Sequence, residues 1–252
     1  VLVDAGLSCR ETERRMARLG LSIKKIKAIF VSHEHTDHVR GLAGLASKYA
    51  LPVYVTDATK TGCYHLKPEC TICFSAFIPV SIGELSITAF PKFHDAADPH
   101  SFIISYNGVT VGVFTDIGVP CDQLISHFKM CNAAFLESNY DEEMLQNGNY
   151  PHFLKQRIRG GKGHLSNRHA LEIFMQHKPK AMTHLLLAHL SKNNNCPELV
   201  QRLFKEQAGN VNVTVATRYE ETPVYFIANN TIGESIIKKR AVFISSPQMS
   251  LF

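Results

Sequence analysis

The chain has 252 residues, 45% hydrophobic and 19% charged, with a formal net charge of +5. That length and balance fit one large α/β domain with a substantial core and exclude a disordered chain. No apolar run reaches the length of a bilayer span, so no membrane-crossing helix is expected, and the mild basic excess permits a polyanionic substrate without demanding one.

In chain order, Val1–Val3 reads as the end of a buried strand, closed by Asp4-Ala5-Gly6. Because the chain opens inside a strand, upstream residues are expected to be missing, and no signal peptide is read at the start. Ser8 and Glu11 fit a capping box for a helix running to about Leu19 and stopping at Gly20. Ile26–Val31 is a β-branched strand that runs into Ser32-His33-Glu34-His35-Thr36-Asp37-His38, and a helix is expected over Val39–Tyr49. Short strands follow at Val53–Val55 and Leu85–Phe90. Phe102–Tyr106 and Val109–Phe114 flank Asn107-Gly108, a two-residue hairpin signal. Ala133–Leu136 and Met182–Ala188 are apolar strands. Ser166 caps a helix with Ala170, Ile173 and Phe174 inward, and Pro197 opens one with Leu199, Leu203 and Phe204 inward, ended by Gly209. Val211–Val215 and Val224–Ile227 are the last strands. Residues 1–229 form one domain in this reading, and 230–252 form a tail.

Seven cysteines, an odd number at uneven spacing, point to free thiols in a reducing compartment, hence the cytoplasm. Thirteen histidines turn attention to metal ligation. His33, His35, Asp37 and His38 place three imidazoles and a carboxylate at a strand exit. An extended turn there would aim His33 and His35 one way and leave Asp37 and His38 for a neighbouring position. Imidazole with carboxylate suits Zn best, with Mn or Fe as alternatives.

This motif resembles that of the metallo-β-lactamase superfamily, and the family's other motifs follow in order: Val3-Asp4-Ala5-Gly6, Phe93-His94-Asp95-Ala96, Thr115-Asp116-Ile117-Gly118 and Ala188-His189-Leu190-Ser191. The resemblance implies an αββα sandwich whose leading strands are absent from this chain. It implies two divalent metal ions, one on His33, His35 and His94, the other on Asp37, His38 and His189, with Asp116 bridging and Asp4 bracing the metal loop. Such a pair ionises a shared water, the hydroxide nucleophile of a hydrolase. His35, where redox di-iron members usually carry Glu, favours hydrolysis.

Glu137-Ser138-Asn139 and Gly163-His164-Leu165-Ser166-Asn167 resemble the paired loops of RNase Z-type nucleases, in which Glu137 and His164 would act beside the scissile phosphate with Asp37. Read from the residues alone, the alternative is a loop-bracing pair. The longer pattern, through Tyr150-Pro151, Arg157-Ile158 and Asn194-Asn195-Cys196-Pro197, is similar to that of the YycJ/WalJ (VicX) family of bacterial DNA exonucleases. The stretch between Asp116 and His189 is too short for a β-CASP cap domain. Arg157, Arg159, Lys162, Asn167 and Arg168 are candidate phosphate contacts, the alternative being a solvated basic helix end. No base-reading module is visible. A nucleic-acid substrate, DNA before RNA, is therefore expected, the alternative being a small-molecule hydrolase for a cyclic phosphodiester, lactone or thioester.

Gln248-Met249-Ser250-Leu251-Phe252 resembles the pentapeptide by which bacterial repair proteins dock on the sliding clamp, with Gln248, Leu251 and Phe252 as contacts; the same residues would equally plug the protein's own core. That docking would make the chain a recruited partner module. Cys63, His65, Cys70 and Cys73 allow a small structural zinc site or simply free thiols.

Overall fold

A computed structural model of the chain describes residues 1–228. β1 (Leu2–Val3), β2 (Ile29–Phe30), β3 (Val53–Val55) and β4 (Thr71–Cys73) pair in parallel, in sequence order. β5 (Val80–Ile82), β6 (Leu85–Pro91), β7 (His100–Tyr106), β8 (Val109–Phe114), β9 (Ala133–Glu137), β10 (His184–Ala188) and β11 (Asn212–Val215) form a seven-stranded sheet in the order β11-β10-β9-β8-β7-β6-β5. It is antiparallel from β5 to β8 and parallel from β8 to β11. The helices are α1 (Cys9–Arg18), α2 (Thr36–Val39), α3 (Leu42–Tyr49), α4 (Asp57–Thr61), α5 (Asp122–Phe128), α6 (Glu142–Asn147), α7 (His152–Arg159), α8 (Asn167–His177) and α9 (Pro197–Lys205).

Side-chain alternation along the strands builds the layers. Ala28 and Phe30 face the large sheet and pack with Ile87, Ala89 and Phe102. Ile29 and Val31 turn the other way, onto Leu42, Leu45 and Ala46 of α3. On the large sheet, Phe90, Ile103, Phe114 and Leu187 point outward, onto Phe128 of α5, Phe174 of α8 and Phe204 of α9. Three cores between four layers give the αββα order that the motifs imply. Among the described residues no helix is long and apolar enough to cross a membrane.

Several elements differ from expectation. Ser8 Oγ accepts from Glu11 N–H, but the Glu11 carboxylate is taken by Arg14 and Arg15, so only half of a capping box forms. β4, β5, α4 and α7 carry too few buried apolar positions to show a period. Val200, not Leu199, is the buried partner of Phe204 on α9, which ends at Lys205, before Gly209. Val224–Ile227 is not a strand. Val224 and Phe226 are exposed there, and Tyr225 holds the segment through its hydroxyl contact with Thr214 Oγ1 at 2.9 Å. Asn107 and Gly108 have φ of 46° and 73°, so the β7–β8 hairpin closes as expected. The tail, with Gln248, Leu251 and Phe252, lies outside the described residues.

Candidate metal centre

The candidate ligands sit at or just past the carboxyl ends of strands. Asp4 follows β1, and His33, His35, Asp37 and His38 follow β2. His94 follows β6, Asp116 follows β8, Glu137 ends β9 and His189 follows β10. β6, β8, β9 and β10 run the same way, so their ends share one edge. Asp4, Asp116 and His189 have φ of 62°, 56° and 61°. L-residues avoid that region, and strain of this kind is kept where a side chain must be aimed at a functional site. The histidine motif is not an extended turn. α2 begins at Thr36, so Asp37 and His38 lie on a helical turn while His35 precedes it as the N-cap.

Outer hydrogen bonds aim the imidazoles. His33 Nδ1 lies 2.9 Å from Ser32 Oγ, whose own hydroxyl donates to Asp4 Oδ2. His38 Nδ1 faces Asp4 Oδ2 at 2.8 Å, His94 Nδ1 the Gly163 carbonyl at 3.0 Å, and His189 Nδ1 Glu137 Oε1 at 2.9 Å. Each of these contacts turns Nε2 toward the centre, the orientation in which imidazole binds metal. Four groups result whose donor atoms lie within 4.8 Å of one another: His33, His35 and His94; Asp37, His38 and His189; His33, His38 and Asp116; and Asp116, Glu137, His164 and His189. His33 Nε2 and Asp116 Oδ2 are buried without a hydrogen-bond partner, although His38 Nε2 approaches Asp116 Oδ2 to 3.2 Å. Buried polar atoms left bare are rare, and a cation satisfies both. The donor set therefore fits divalent metal.

Charge is shared unevenly across the cluster. Burial holds His33 and His94 in the neutral form, His94 at about 4. Burial opposes a charge on His38 too, but Asp116 and Asp4 outweigh it and raise His38 to about 10. His189 is likewise raised against its burial, by Asp116, Asp37 and Glu137. Asp116 is held well below the usual carboxylate range by His189, Lys92 and His38, again against burial.

Glu137 is fully buried. Its Oε2 accepts from Ile117 N–H at 2.6 Å and Leu165 N–H at 3.1 Å, and its Oε1 lies 2.8 Å from His164 Nδ1. Burial works to keep it neutral, but His164 and His189 outweigh that and bring it down to about 2. Glu137 therefore reaches any substrate only through a histidine, whereas the His164 side chain is 24% exposed.

The basic residues divide. Arg157 Nε pairs with Asp95 Oδ2 at 2.6 Å, beside His94, and Lys162 is exposed two residues before His164. Arg159 is bonded to Gln146 and Arg168 is paired with Glu142 and Glu172. The expected phosphate contact from Asn167 is corrected: it is buried, its Oδ1 accepting from Ser138 and Asn195 and its Nδ2 donating to Asn195. Cys63, His65, Cys70 and Cys73 do not gather into a donor group; Cys63 packs in the small-sheet core and Cys73 Sγ donates to Asp57. Lys92 escaped the sequence reading. It is buried, donates from Nζ to the Thr115 carbonyl at 2.7 Å and lies 3.9 Å from Asp116. Asn139 was likewise missed, and its Nδ2 donates to the His189 carbonyl at 2.7 Å. Lys92 belongs to no motif, its only signal being its place two residues before His94, whereas Asn139 lies within the Glu137-Ser138-Asn139 motif without being singled out there.

Four layers with imidazoles and carboxylates gathered at the strand ends define a metallo-β-lactamase-type hydrolase domain. Residues 1–189 match the family model described as a beta-lactamase superfamily domain, and the chain belongs to that superfamily, whose fold implies divalent metal ions. The chain is 37% identical over 205 residues to the exodeoxyribonuclease YycJ of Bacillus anthracis, covering 80% of this chain and 78% of that protein, and so falls in the YycJ/WalJ family. It is 28% identical over 226 residues to the exodeoxyribonuclease WalJ of Streptococcus pneumoniae, covering 87% and 84%. The solved metallo-β-lactamase-fold protein YhfI of Bacillus subtilis shares the fold, with a TM-score of 0.64 and 20% identity over 85% of this chain and 83% of that one.

Proposed function

We propose that this chain is a metal-dependent phosphodiesterase, an exodeoxyribonuclease that trims DNA ends in DNA processing or repair in the cytoplasm. The observation that carries the reading is the overlap of donor groups around Asp116. The names of the YycJ and WalJ relatives support the choice of substrate. In this reading His33, His35 and His94 would hold one ion and Asp37, His38 and His189 a second, with Asp116 available to both. The imidazole-rich set favours Zn, with Mn or Fe as alternatives. Such ions supply Lewis acidity at phosphoryl oxygens and lower the pKa of a bound water from near 16 toward about 7.

The remaining work falls to the protein. Glu137 fixes the His164 ring through Nδ1, which leaves Nε2 for the departing alkoxide. A proton passes from Nε2 to that oxygen as the phosphodiester bond breaks, and the imidazolium offsets phosphate charge beforehand. Glu137 is thus a positioning residue and His164 the catalytic acid. Asp37, whose Oδ2 lies 3.6 Å from His189 Nε2, is the exposed member of the donor set and the one that an incoming substrate would meet. The division into a catalytic domain over 1–229 and a tail over 230–252, and clamp docking through Gln248, Leu251 and Phe252, rest on the sequence pattern.

The test is purified protein with Zn²⁺ or Mn²⁺, given end-labelled DNA, RNA, a cyclic phosphodiester and a lactone in parallel. DNA shortening from the ends, abolished in Asp116→Ala, is expected. Full activity in that variant, or lactone turnover without DNA cleavage, ends the proposal.

A further inference from the structure

α7 lies beside the site with its polarity reversed at one position. Leu154 and Ile158, four residues apart, form the half-buried inner face, and no residue of the helix is fully buried. Phe153 nevertheless stands on the water side, 72% exposed, and Arg157 follows one turn later on the same face. The helix is tied to the site at two points. The Ile158 carbonyl accepts from His164 N–H at 2.8 Å, and Arg157 bonds to Asp95, whose Oδ1 is 3.5 Å from His94 Nε2. Asp95, Arg157, Ile158, Gly163 and His164 line a small cleft there.

A second exposed phenylalanine immediately precedes the candidate ligand His94. Lys92 and His94 are buried, but Phe93 between them is 51% exposed. Its backbone is fixed, since the Phe93 carbonyl accepts from Gly118 N–H at 2.6 Å and Gly118 packs directly on the Gly161 backbone. Lys162, next in the chain, supplies an exposed cation. Two solvent-facing rings thus accompany two cations on the segments that carry His94 and His164.

We infer that Phe93 and Phe153 are stacking platforms for unpaired nucleobases, with Arg157 and Lys162 on the phosphates between them, so that the site takes single-stranded nucleic-acid ends. The inference rests on the nuclease reading and narrows its substrate class. Aromatic faces with neighbouring cations are what sequence-tolerant single-strand binding requires: every base offers a π-face, and paired bases inside a duplex do not. An apolar partner chain would gain nothing from Arg157 and Lys162, which favours the polyanion.

The experiment measures fluorescence anisotropy of the metal-loaded full chain with a labelled, cleavage-resistant phosphorothioate single strand, its abasic counterpart and the matching blunt duplex. Wild-type protein should prefer the base-bearing strand over the other two. Phe93→Ala and Phe153→Ala should each weaken that binding by about tenfold and erase the preference over the abasic strand. Phe153→Trp should keep the preference, while Phe153→Leu should lose it. Variants that discriminate as the wild type does, or a wild type that binds abasic and base-bearing strands alike, overturn the platform while leaving the nuclease reading in place. A wild type that neither binds nor cuts any DNA removes the nuclease reading, and the platform with it.

Discussion

His38 Nδ1 lies 2.8 Å from Asp4 Oδ2, and the two residues are 34 apart in sequence. Asp4 also accepts from Ser32 N–H at 2.7 Å and from Ser32 Oγ–H at 2.8 Å. One carboxylate just after β1 therefore sets the rotation of two imidazoles that follow β2. Asp4→Ala should lower Zn²⁺ affinity by about 10- to 100-fold, read by competition with a chromogenic chelator. Unchanged affinity would show that Asp4 only closes a turn.

Proton release should accompany metal loading. Asp116 and Asp4 raise His38 to about 10 against its burial, so before metal enters it should carry a proton at pH 8, which it must give up to donate a lone pair. Calorimetric titration with Zn²⁺ in two buffers of different ionisation enthalpy should report net release, and affinity should rise with pH toward 10. The same raised value has a stability consequence of definite sign. His38 stabilises the metal-free fold fully below its unfolded value of 6.5, and this contribution is lost as pH rises through about 10. Melting curves of chelator-treated protein should therefore fall across that window.

Leaving-group chemistry isolates His164. His164→Ala should slow DNA cleavage by about 10²- to 10⁴-fold while metal content stays at the wild-type level. The same variant should lose much less on a bis-nitrophenyl phosphodiester, whose leaving group needs no proton. Equal losses on both substrates would show that His164 does not protonate the leaving oxygen.

Gly118→Ala offers a steric test of the loop packing. The added methyl would sit 2.3 Å from the Gly161 carbonyl oxygen and 2.6 Å from Lys162 Cα, both backbone. The loops must separate, at a cost of about 1–3 kcal/mol. A lower Tm and weakened DNA turnover are expected, since the displaced strand of chain carries His164. A variant that melts and works like the parent would mean that the loops are free to part.

The candidate donors could be picked out in the sequence because His33, His94, Asp116 and His189 each follow a strand within a short block, and the fold brings them together. The helical turn at Thr36 was not readable. Its first residues are those of the metal motif, and their polarity hides the helix period. Asn167 looked available because it opens a helix beside a basic residue; only the fold shows Ser138 and Asn195 closing over it. Lys92 carries no motif, and a lysine in sequence reads as solvated. Its burial follows from the Thr115 carbonyl and Asp116 arriving from another strand.

The donors are divided between two sheets that share no strand: His33, His35, Asp37 and His38 follow the smaller, His94, Asp116 and His189 the larger. Cut the polypeptide between β4 and β5, and each half keeps an incomplete claw. Two such fragments, expressed separately, should hold together more tightly when ions are added, which would turn nuclease activity into a reporter of reassembly.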